Sequence, residues 1–158
     1  DPAGFAVTIS SLLWRAPGDS RMKTEFRDKL SASAISDVSS LFAQTWWAAT
    51  RTNDQIGQLL ENSTKCYGAY HGNKLVAFAR CLSDYQRCAL ILDVVVHENL
   101  RGTGLGEQIV TEILQDVELK DVELFELHCK ENLEAFYSKL GFQVGSTNMI
   151  WMRKSPTS

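Results

Sequence analysis

The sequence predicts a mixed α/β fold in the order strand, two helices, three strands, helix, strand, helix, two strands. Apolar residues alternate along the chain between the short period of strands and the 3.6-residue period of helices. A buried strand at Leu90–Val96 also leads through Gly102, Gly104 and Gly106 into an amphipathic helix. With 158 residues, 44% of them hydrophobic, residues 1–158 are predicted to form a single domain.

The elements before the central strand are bounded by turn and cap residues. Asn53 is predicted to cap the second helix, and His71 to Lys74 form a turn signal. In order, the predicted elements are a strand at Phe5–Trp14, helices at Ser33–Ala48 and at Asn53 to about Glu61, and strands at Lys65–Tyr70 and Leu75–Leu82.

The elements from the central strand onward follow the same logic. Gly141 is placed where a glycine ends a helix in the left-handed conformation. The predicted elements are the strand Cys88–Val96, a helix from Leu105 to Val117, a strand at Val122–Cys129, a helix at Glu131–Leu140, and a final hairpin of Phe142–Val144 and Asn148–Arg153.

Composition argues against several classes of protein. The net charge of −3, without a run of basic residues, predicts no nucleic-acid partner, and no apolar stretch approaches the ~18 residues of a membrane span. The three histidines and four cysteines have no metal-ligand spacing, so no metal is expected. A hairpin turning at Asp84–Tyr85 would bring Cys81 opposite Cys88; reduced thiols are favoured over a disulfide there.

The segment between the central strand and the helix is suited to an anion. Glycines allow a sharp turn and close approach, and a helix start offers unpaired N–H donors with a positive dipole end. A phosphate group is therefore the expected ligand. The spacing of Gly102, Gly104 and Gly106 fits neither a dinucleotide-binding fingerprint nor a Walker loop.

Two motifs in this chain resemble those of the GNAT superfamily of N-acetyltransferases. The first is Arg101-x-x-Gly104-x-Gly106, and the second runs from Asn132 through Ala135-Phe136-Tyr137 to Leu140-Gly141-Phe142. The resemblance implies a mostly antiparallel, splayed sheet flanked by helices. It also implies acetyl-CoA as cofactor, and acetyl transfer to a primary amine by direct attack in a ternary complex.

The resemblance also implies how acetyl-CoA would be held. The pantetheine arm would lie along the backbone of Val94, Val95 and Val96, and Asn132 and Tyr137 match positions beside the arm. Arg101 is either a phosphate contact or a solvent-facing loop residue, and Asn132 is either a cofactor contact or a helix cap. The pyrophosphate would lie on the backbone of Arg101, Gly102, Thr103, Gly104, Leu105, Gly106 and Glu107.

Three residues are candidates for the chemistry. The backbone N–H of Val94 matches the family's donor to the oxyanion. Tyr137 matches its general acid, with aromatic packing as the alternative. Asp93 interrupts an apolar strand and must be paired or functional; structural pairing is favoured over a role as general base, and a β-bulge could redirect it. Plain alternation places Leu90 and Leu92 on the face of Val94 and Val96.

The acceptor amine has weaker candidates. Aromatic faces suit ammonium or aryl groups. For each residue taken alone, a role without a ligand is favoured: core packing for one tryptophan and incidental exposure for the other. His128 ends a strand and is a candidate for the base or for an acceptor contact; a surface or core-edge histidine is favoured over either role. The aromatic candidates are Trp46, Trp47, Tyr85 and Trp151.

The leading hypothesis is a cytoplasmic N-acetyltransferase, monomer or homodimer, acting on a small-molecule amine. The alternatives are acetylation of a protein lysine or N-terminus, and a non-catalytic acyl-CoA-binding regulatory module. The absence of an obvious base on the central strand motivates the last of these.

Overall fold

The computed structural model describes residues 23–145 and 150–156, which form two compact units. The first unit ends at His128, and its described residues form a five-stranded sheet and three α-helices. The second unit begins at Cys129, and its described residues form one short α-helix. A single domain stays a prediction. The strand predicted at Phe5–Trp14 lies outside the described residues.

The five strands follow one another in chain order across a single sheet. In chain order, neighbouring strands among the first four are antiparallel, and the fifth runs parallel to the fourth. This confirms the predicted mixed, mostly antiparallel sheet flanked by helices. The strands are β1 (Thr24–Arg27), β2 (Lys65–His71), β3 (Lys74–Ser83), β4 (Cys88–Val96) and β5 (Leu124–Leu127).

Two strand boundaries differ from the expectation. The sequence does not predict β1, because this edge strand is polar and only alternate residues are half-buried. Strand β5 is shorter than the predicted Val122–Cys129, since its ladder with β4 covers only four residues.

The helices are generally shorter than predicted. The first helix, α1 (Ile35–Phe42), is shorter than the predicted Ser33–Ala48, and α3 (Leu105–Leu114) ends before a 3₁₀ turn at Val117–Leu119. In the described part of the chain, no helix has the length and apolar character that a membrane span requires. The helices are α1 (Ile35–Phe42), α2 (Asn53–Asn62), α3 (Leu105–Leu114) and α4 (Glu134–Ser138).

Helix α1 stops early because Thr45 redirects the backbone bonding beyond Phe42. The Thr45 hydroxyl donates to the Phe42 carbonyl at 2.8 Å and accepts from the Ala48 amide at 3.1 Å. The Thr45 amide also bonds the Phe42 carbonyl, a three-residue pattern tighter than that of an α-helix. A threonine that bonds nearby backbone competes with helix continuation.

The cap of α2 is Thr52, so the prediction of Asn53 as the cap is wrong by one residue. The Thr52 hydroxyl accepts from the Gln55 amide, and the Gln55 side chain accepts from the Thr52 amide, which completes a capping box. The Thr-x-x-Gln spacing carries this signal in the sequence.

The core has a layer on each face of the sheet. On one face, α1 and α2 bury Val38, Phe42 and Ile56, and the ring of Phe42 meets that of Phe78 edge-on at 5.7 Å. Helix α3 contacts β2, β3 and β4 with its buried side. Because side chains alternate across a sheet, the two helical layers bury nearly all of β2 and β3.

A buried polar cluster joins β2 to the end of α3. The Lys65 side chain is only 4% exposed, and its ammonium lies 2.5 Å from Asp116, 2.6 Å from Glu118 and 3.0 Å from Asp28. The Tyr67 hydroxyl donates to Asp116 at 2.7 Å. Burial alone would raise the pKa of Asp116, but these donors outweigh it and hold that pKa below its usual value.

The cysteines are free thiols. The prediction that Cys81 lies opposite Cys88 is wrong, because the ladder pairs Cys81 with Ile91. Burial raises the pKa of both thiols to about 11, so they are protonated and unreactive near neutral pH.

The second unit contains a 3₁₀ turn at Glu131–Leu133 and then α4. Gly141 follows with φ +91°, which confirms it as the glycine that ends this helix. The predicted hairpin is not formed by the described residues 142–145 and 150–156, which are outside any strand. Val144 is 69% exposed and Ile150 82% exposed, so these residues lack the packed face that a hairpin needs.

Candidate active site

The glycine loop between β4 and α3 presents bare backbone to its surroundings. Gly102 and Gly104 have φ of +76° and +88°, which only glycine adopts readily. Gly104 is the N-cap of α3, and no side chain among the described residues caps the helix. A Cβ at Gly102 would meet no heavy atom within 4 Å. The first-turn amides of α3 are therefore open to an anion.

The predicted cofactor residues Arg101, Gly102, Thr103, Gly104, Leu105, Gly106 and Glu107 lie together in this loop and the first turn of α3. Leu105 contributes backbone alone, because its side chain is buried in the core. The Thr103 hydroxyl donates to the Leu100 carbonyl at 2.6 Å and so stiffens the loop. Binding of a cofactor by these residues stays a prediction.

Arg101 ties the loop to neighbouring backbone. Its guanidinium donates to the Val96 carbonyl and to the Gln44 carbonyl, each at 3.2 Å. The Gln44 side chain accepts from the Glu98 amide at 2.8 Å. Arg101 is exposed, yet its guanidinium is held by backbone carbonyls. This arrangement is intermediate between the phosphate contact and the solvent-facing loop residue that the sequence leaves open.

Strand β4 contains a bulge at Asp93 and Val94. The ladder pairs Leu92 with Arg80 and Val95 with Phe78, so two residues of β4 lie opposite Ala79. A bulge leaves one residue outside the ladder and bends the strand.

The bulge also reverses the alternation of side chains. Leu92 and Val95 face the same side, because their partners Arg80 and Phe78 are two residues apart on β3. The expectation that Leu90 and Leu92 share a face with Val96 is therefore wrong, because Val96 pairs with Ala77 on the other face of β3. The ladder gives Val94 no partner, so its predicted face stays a prediction. The one extra residue shifts the alternation of side chains between the two faces of the sheet. This shift is visible only in the register of β4 with β3.

One edge of β4 is open beyond the bulge. Strand β5 pairs with Cys88–Ile91 alone, and no other described strand pairs with this edge from Leu92 to Val96. The sheet is thus splayed at the predicted cofactor positions Val94, Val95 and Val96. Val95 is only 4% exposed, so a ligand could contact it only through its backbone. Unpaired strand backbone can be satisfied by an extended ligand that bears amides.

Asp93 is the bulged residue, and two arginines hold it. Its φ is +53°, and its side chain is 8% exposed. Its carboxylate oxygen Oδ2 lies 2.5 Å from Arg80 Nε and 3.0 Å from an Arg51 terminal nitrogen. The Arg51 nitrogen lacks hydrogen-bond geometry, so that contact is an ion pair alone. This geometry favours the structural interpretation of Asp93 over a role as a base.

Tyr137 lies in α4 of the second unit and is 9% exposed. Phe136 and Phe142 pack edge-on against its ring, at centroid distances of 4.8 and 5.9 Å. Burial raises the pKa of Tyr137 to about 12, so its hydroxyl remains a donor across the physiological range. Packing and a donor role are compatible, because the aromatic contacts involve the ring and not the oxygen.

Asn132 is exposed within the 3₁₀ turn, and the side chain does not cap α4. The helix-cap alternative therefore finds no support among the described residues. A cofactor contact for Asn132 stays a prediction.

The candidate acceptor residues differ in environment. Trp47 packs edge-on against Phe42 at 5.7 Å, as the core-packing alternative expects. Trp46 is 75% exposed, and Tyr85 is 40% exposed in the β3–β4 turn. His128 is exposed at the end of the first unit. Trp151, in the second unit, is 64% exposed.

Three residues at the site do not emerge from the sequence: Gln44, Arg51 and Arg80. The isolated Asp93 signals that a cationic partner exists, but partners 42 and 13 residues away leave no local pattern. Gln44 follows a helix in a polar segment and looks like any exposed glutamine.

Comparison with known proteins identifies the family of this chain. The model of the acetyltransferase (GNAT) family matches residues 22–142. An uncharacterised N-acetyltransferase, ycf52, of Pyropia yezoensis is 35% identical over 82 residues, covering 50% of this chain and 47% of the relative. GCN5-related N-acetyltransferase 3, chloroplastic, of Arabidopsis thaliana is 28% identical over 118 residues, covering 73% and 49%.

The fold has solved counterparts. A protein assigned to the GNAT family from Xanthomonas campestris superposes with a TM-score of 0.75 at 23% identity, covering 85% of this chain and 94% of that one. The chain spans about half the length of the curated relatives named above. The family model covers most of the chain, including β4, the glycine loop and Tyr137, and the chain therefore belongs to the acetyltransferase (GNAT) family.

Proposed function

We propose that this chain transfers the acetyl group of acetyl-CoA to the primary amine of a small molecule, by direct attack in a ternary complex. The observation that carries the proposal is the open edge of β4 followed, after a 3₁₀ turn at Glu98–Leu100, by a glycine loop at the start of α3, a helix that no described side chain caps. Together they offer strand backbone for an amide-bearing arm and helix-start amides for a diphosphate. Acetyl-CoA has both chemical features, and the family generally uses it.

The backbone would do most of the binding. The amides from Gly102 to Glu107 would receive the pyrophosphate, with Arg101 holding the loop in place. Val94, Val95 and Val96 would receive the pantetheine amides along the open strand edge. Asn132 is proposed to contact the arm through its amide side chain.

Two donors would stabilise the charge that develops in the reaction. The amide of Val94, at the bulge, is proposed as the donor to the carbonyl oxygen. Tyr137 is proposed as the donor to the leaving thiolate. Its pKa of about 12 exceeds the ~8.5 of a thiol, so a hydrogen bond to the thiolate is favoured over complete proton transfer.

The acceptor must lose a proton before or during attack, and β4 offers little help. Its only ionisable carboxylate, Asp93, is paired with two arginines. We propose that solvent takes the proton, and that the exposed rings of Trp46 and Tyr85, with His128, contribute to acceptor binding while Trp47 supports them. Aromatic faces attract ammonium groups.

The shortage of a base favours one alternative of another class, a non-catalytic module that binds acyl-CoA and regulates a partner. Acetylation of a protein lysine or N-terminus is a further form of the same chemistry. Cytoplasmic location and a monomeric or homodimeric state stay predictions; the Arabidopsis relative is named as chloroplastic. Imaging of the full-length tagged protein and light scattering test these two points.

The deciding experiment has two stages. Calorimetric titration with coenzyme A and with acetyl-CoA tests binding, and release of free thiol is then measured across polyamines, arylalkylamines, aminosugars and peptides. Turnover of a free amine supports the proposal, and better turnover of peptides would redirect it to protein acetylation. Tight binding without any turnover would favour the regulatory module, whereas absence of binding would overturn all three.

A further inference from the structure

The bulged conformation of β4 is unusual for the residue that carries it. Asp93 has φ +53° in the middle of a strand. Tyr85, the other non-glycine residue with positive φ in the described ranges, lies in an exposed turn. Aspartate tolerates this region better than most residues, but the conformation persists only where its surroundings impose it.

Two arginines from different elements contact the Asp93 carboxylate. Arg80 belongs to β3 and follows Ala79, the residue opposite the bulge. Arg51 comes from the segment between α1 and α2, and its guanidinium lies over the rings of Phe42 and Trp47, at 5.2 and 5.7 Å. Both contact the same Asp93 oxygen.

The three side chains are largely withdrawn from water. Their exposed fractions are 8% for Asp93, 11% for Arg80 and 28% for Arg51. Arg80 also reaches the Ser63 hydroxyl at 3.4 Å, which limits its movement. Buried ion pairs with fixed partners are screened far less than surface pairs.

The conformation of Asp93 decides where the next amide points. If residue 93 took an ordinary extended conformation, the extra residue could not be accommodated in the same way and the ladder with β3 would change register. The amide of Val94 would then no longer have its present direction.

We propose that Asp93 is a positioning residue, held by Arg80 and Arg51, whose carboxylate keeps the bulge in place and so aims the Val94 amide at the thioester carbonyl. This inference rests on the proposed function and deepens it. It also connects the α1–α2 segment to the bulge, because Arg51 forms part of the clamp.

The test measures hydrogen bonding to the thioester carbonyl of bound acetyl-CoA. Acetyl-CoA labelled with ¹³C at the carbonyl is bound to the protein, and the infrared frequency of the labelled group reports hydrogen bonding to its oxygen. In Asp93→Asn, which keeps the size and the tolerance for positive φ, we expect a higher carbonyl frequency than in the unmodified protein. We expect the affinity for coenzyme A, which lacks the carbonyl, to stay within about threefold, because the pyrophosphate loop is untouched.

Turnover gives a second measurement once an amine is identified. We expect kcat to fall about ten- to hundredfold, less than complete removal of an oxyanion donor, with KM for acetyl-CoA little changed. The matched control is Glu123→Gln, which breaks the exposed ion pair with Arg87 in the same unit and should change neither frequency nor kcat.

If Asp93 had a purely structural role, Asp93→Asn would lower the melting temperature but leave the carbonyl frequency of acetyl-CoA bound to the folded protein unchanged. That result would overturn the inference. If Asp93→Asn does not fold, Arg51→Gln decides, since it removes one ion pair and should produce a smaller shift of the same sign. Failure of the unmodified protein to bind coenzyme A would instead overturn the proposed function.

Discussion

Replacement of Gly104 by alanine, compared with the same replacement of Gly72, separates the effect of backbone strain on stability from the loss of anion binding. A Cβ at Gly104 would meet only the Gln108 side chain, at 4.0 Å, so the substitution causes no clash. Its cost comes from φ +88°, and a non-glycine residue in the left-handed region loses about 1–2 kcal/mol. For a chain of 158 residues this corresponds to a decrease in melting temperature of roughly 2–8 °C.

The same substitution should weaken coenzyme A binding. If the backbone relaxes out of the left-handed region, the amides at the start of α3 turn away from the pyrophosphate. A hydrogen bond to a charged group contributes about 1.5–3 kcal/mol, so the dissociation constant should rise about ten- to hundredfold. Isothermal titration calorimetry with coenzyme A measures this change.

Gly72→Ala is the matched control. Gly72 has φ +59° in the β2–β3 turn, and a Cβ there would meet nothing within 4 Å, so this substitution causes no clash either. It should lower the melting temperature similarly and leave the dissociation constant unchanged. Equal weakening of binding by both variants would refute the assignment of the loop, as would unchanged binding by Gly104→Ala.

Three further variants test other parts of the structure. Tyr137→Phe should lower kcat about 10²- to 10⁴-fold with coenzyme A affinity nearly unchanged, and the pKa of about 12 implies that the unmodified enzyme shows no loss of rate from Tyr137 ionisation below about pH 10. Thr52→Ala should remove about 1 kcal/mol of unfolding free energy in urea by opening the capping box, whereas Thr50→Ala should not. Asp116→Asn should destabilise the protein at pH 7 by about 1.5–3 kcal/mol, since it replaces the charged carboxylate that accepts from the buried Lys65 and Tyr67 with a neutral amide.

The pH dependence of stability gives the Asp116 prediction a sign. Its pKa in the folded protein lies below the unfolded value, so its contribution is complete above the unfolded pKa and is lost as pH falls through the folded pKa. The unmodified protein should therefore lose stability in acid more steeply than Asp116→Asn. Parallel acid profiles for the two proteins would contradict the pairing with Lys65 and Tyr67.

The sequence alone determined those features that depend on local patterns. The apolar run of β4, the glycines after it and the 3.6-residue period of α3 lie within 30 consecutive residues, so composition and spacing define the strand, the loop and the helix start. The same holds for Gly141, whose place after α4 matches its φ of +91°.

Only the tertiary structure decided the features that depend on distant partners. The bulge at Asp93 exists relative to β3, and neither the reversed face of Val95 nor the partners Arg80 and Arg51 have a signature within β4. The open edge of β4 likewise depends on where β5 ends. Side-chain periodicity is a local property, whereas strand register, ion pairing and the ends of pairing are set by contacts between residues far apart in the chain.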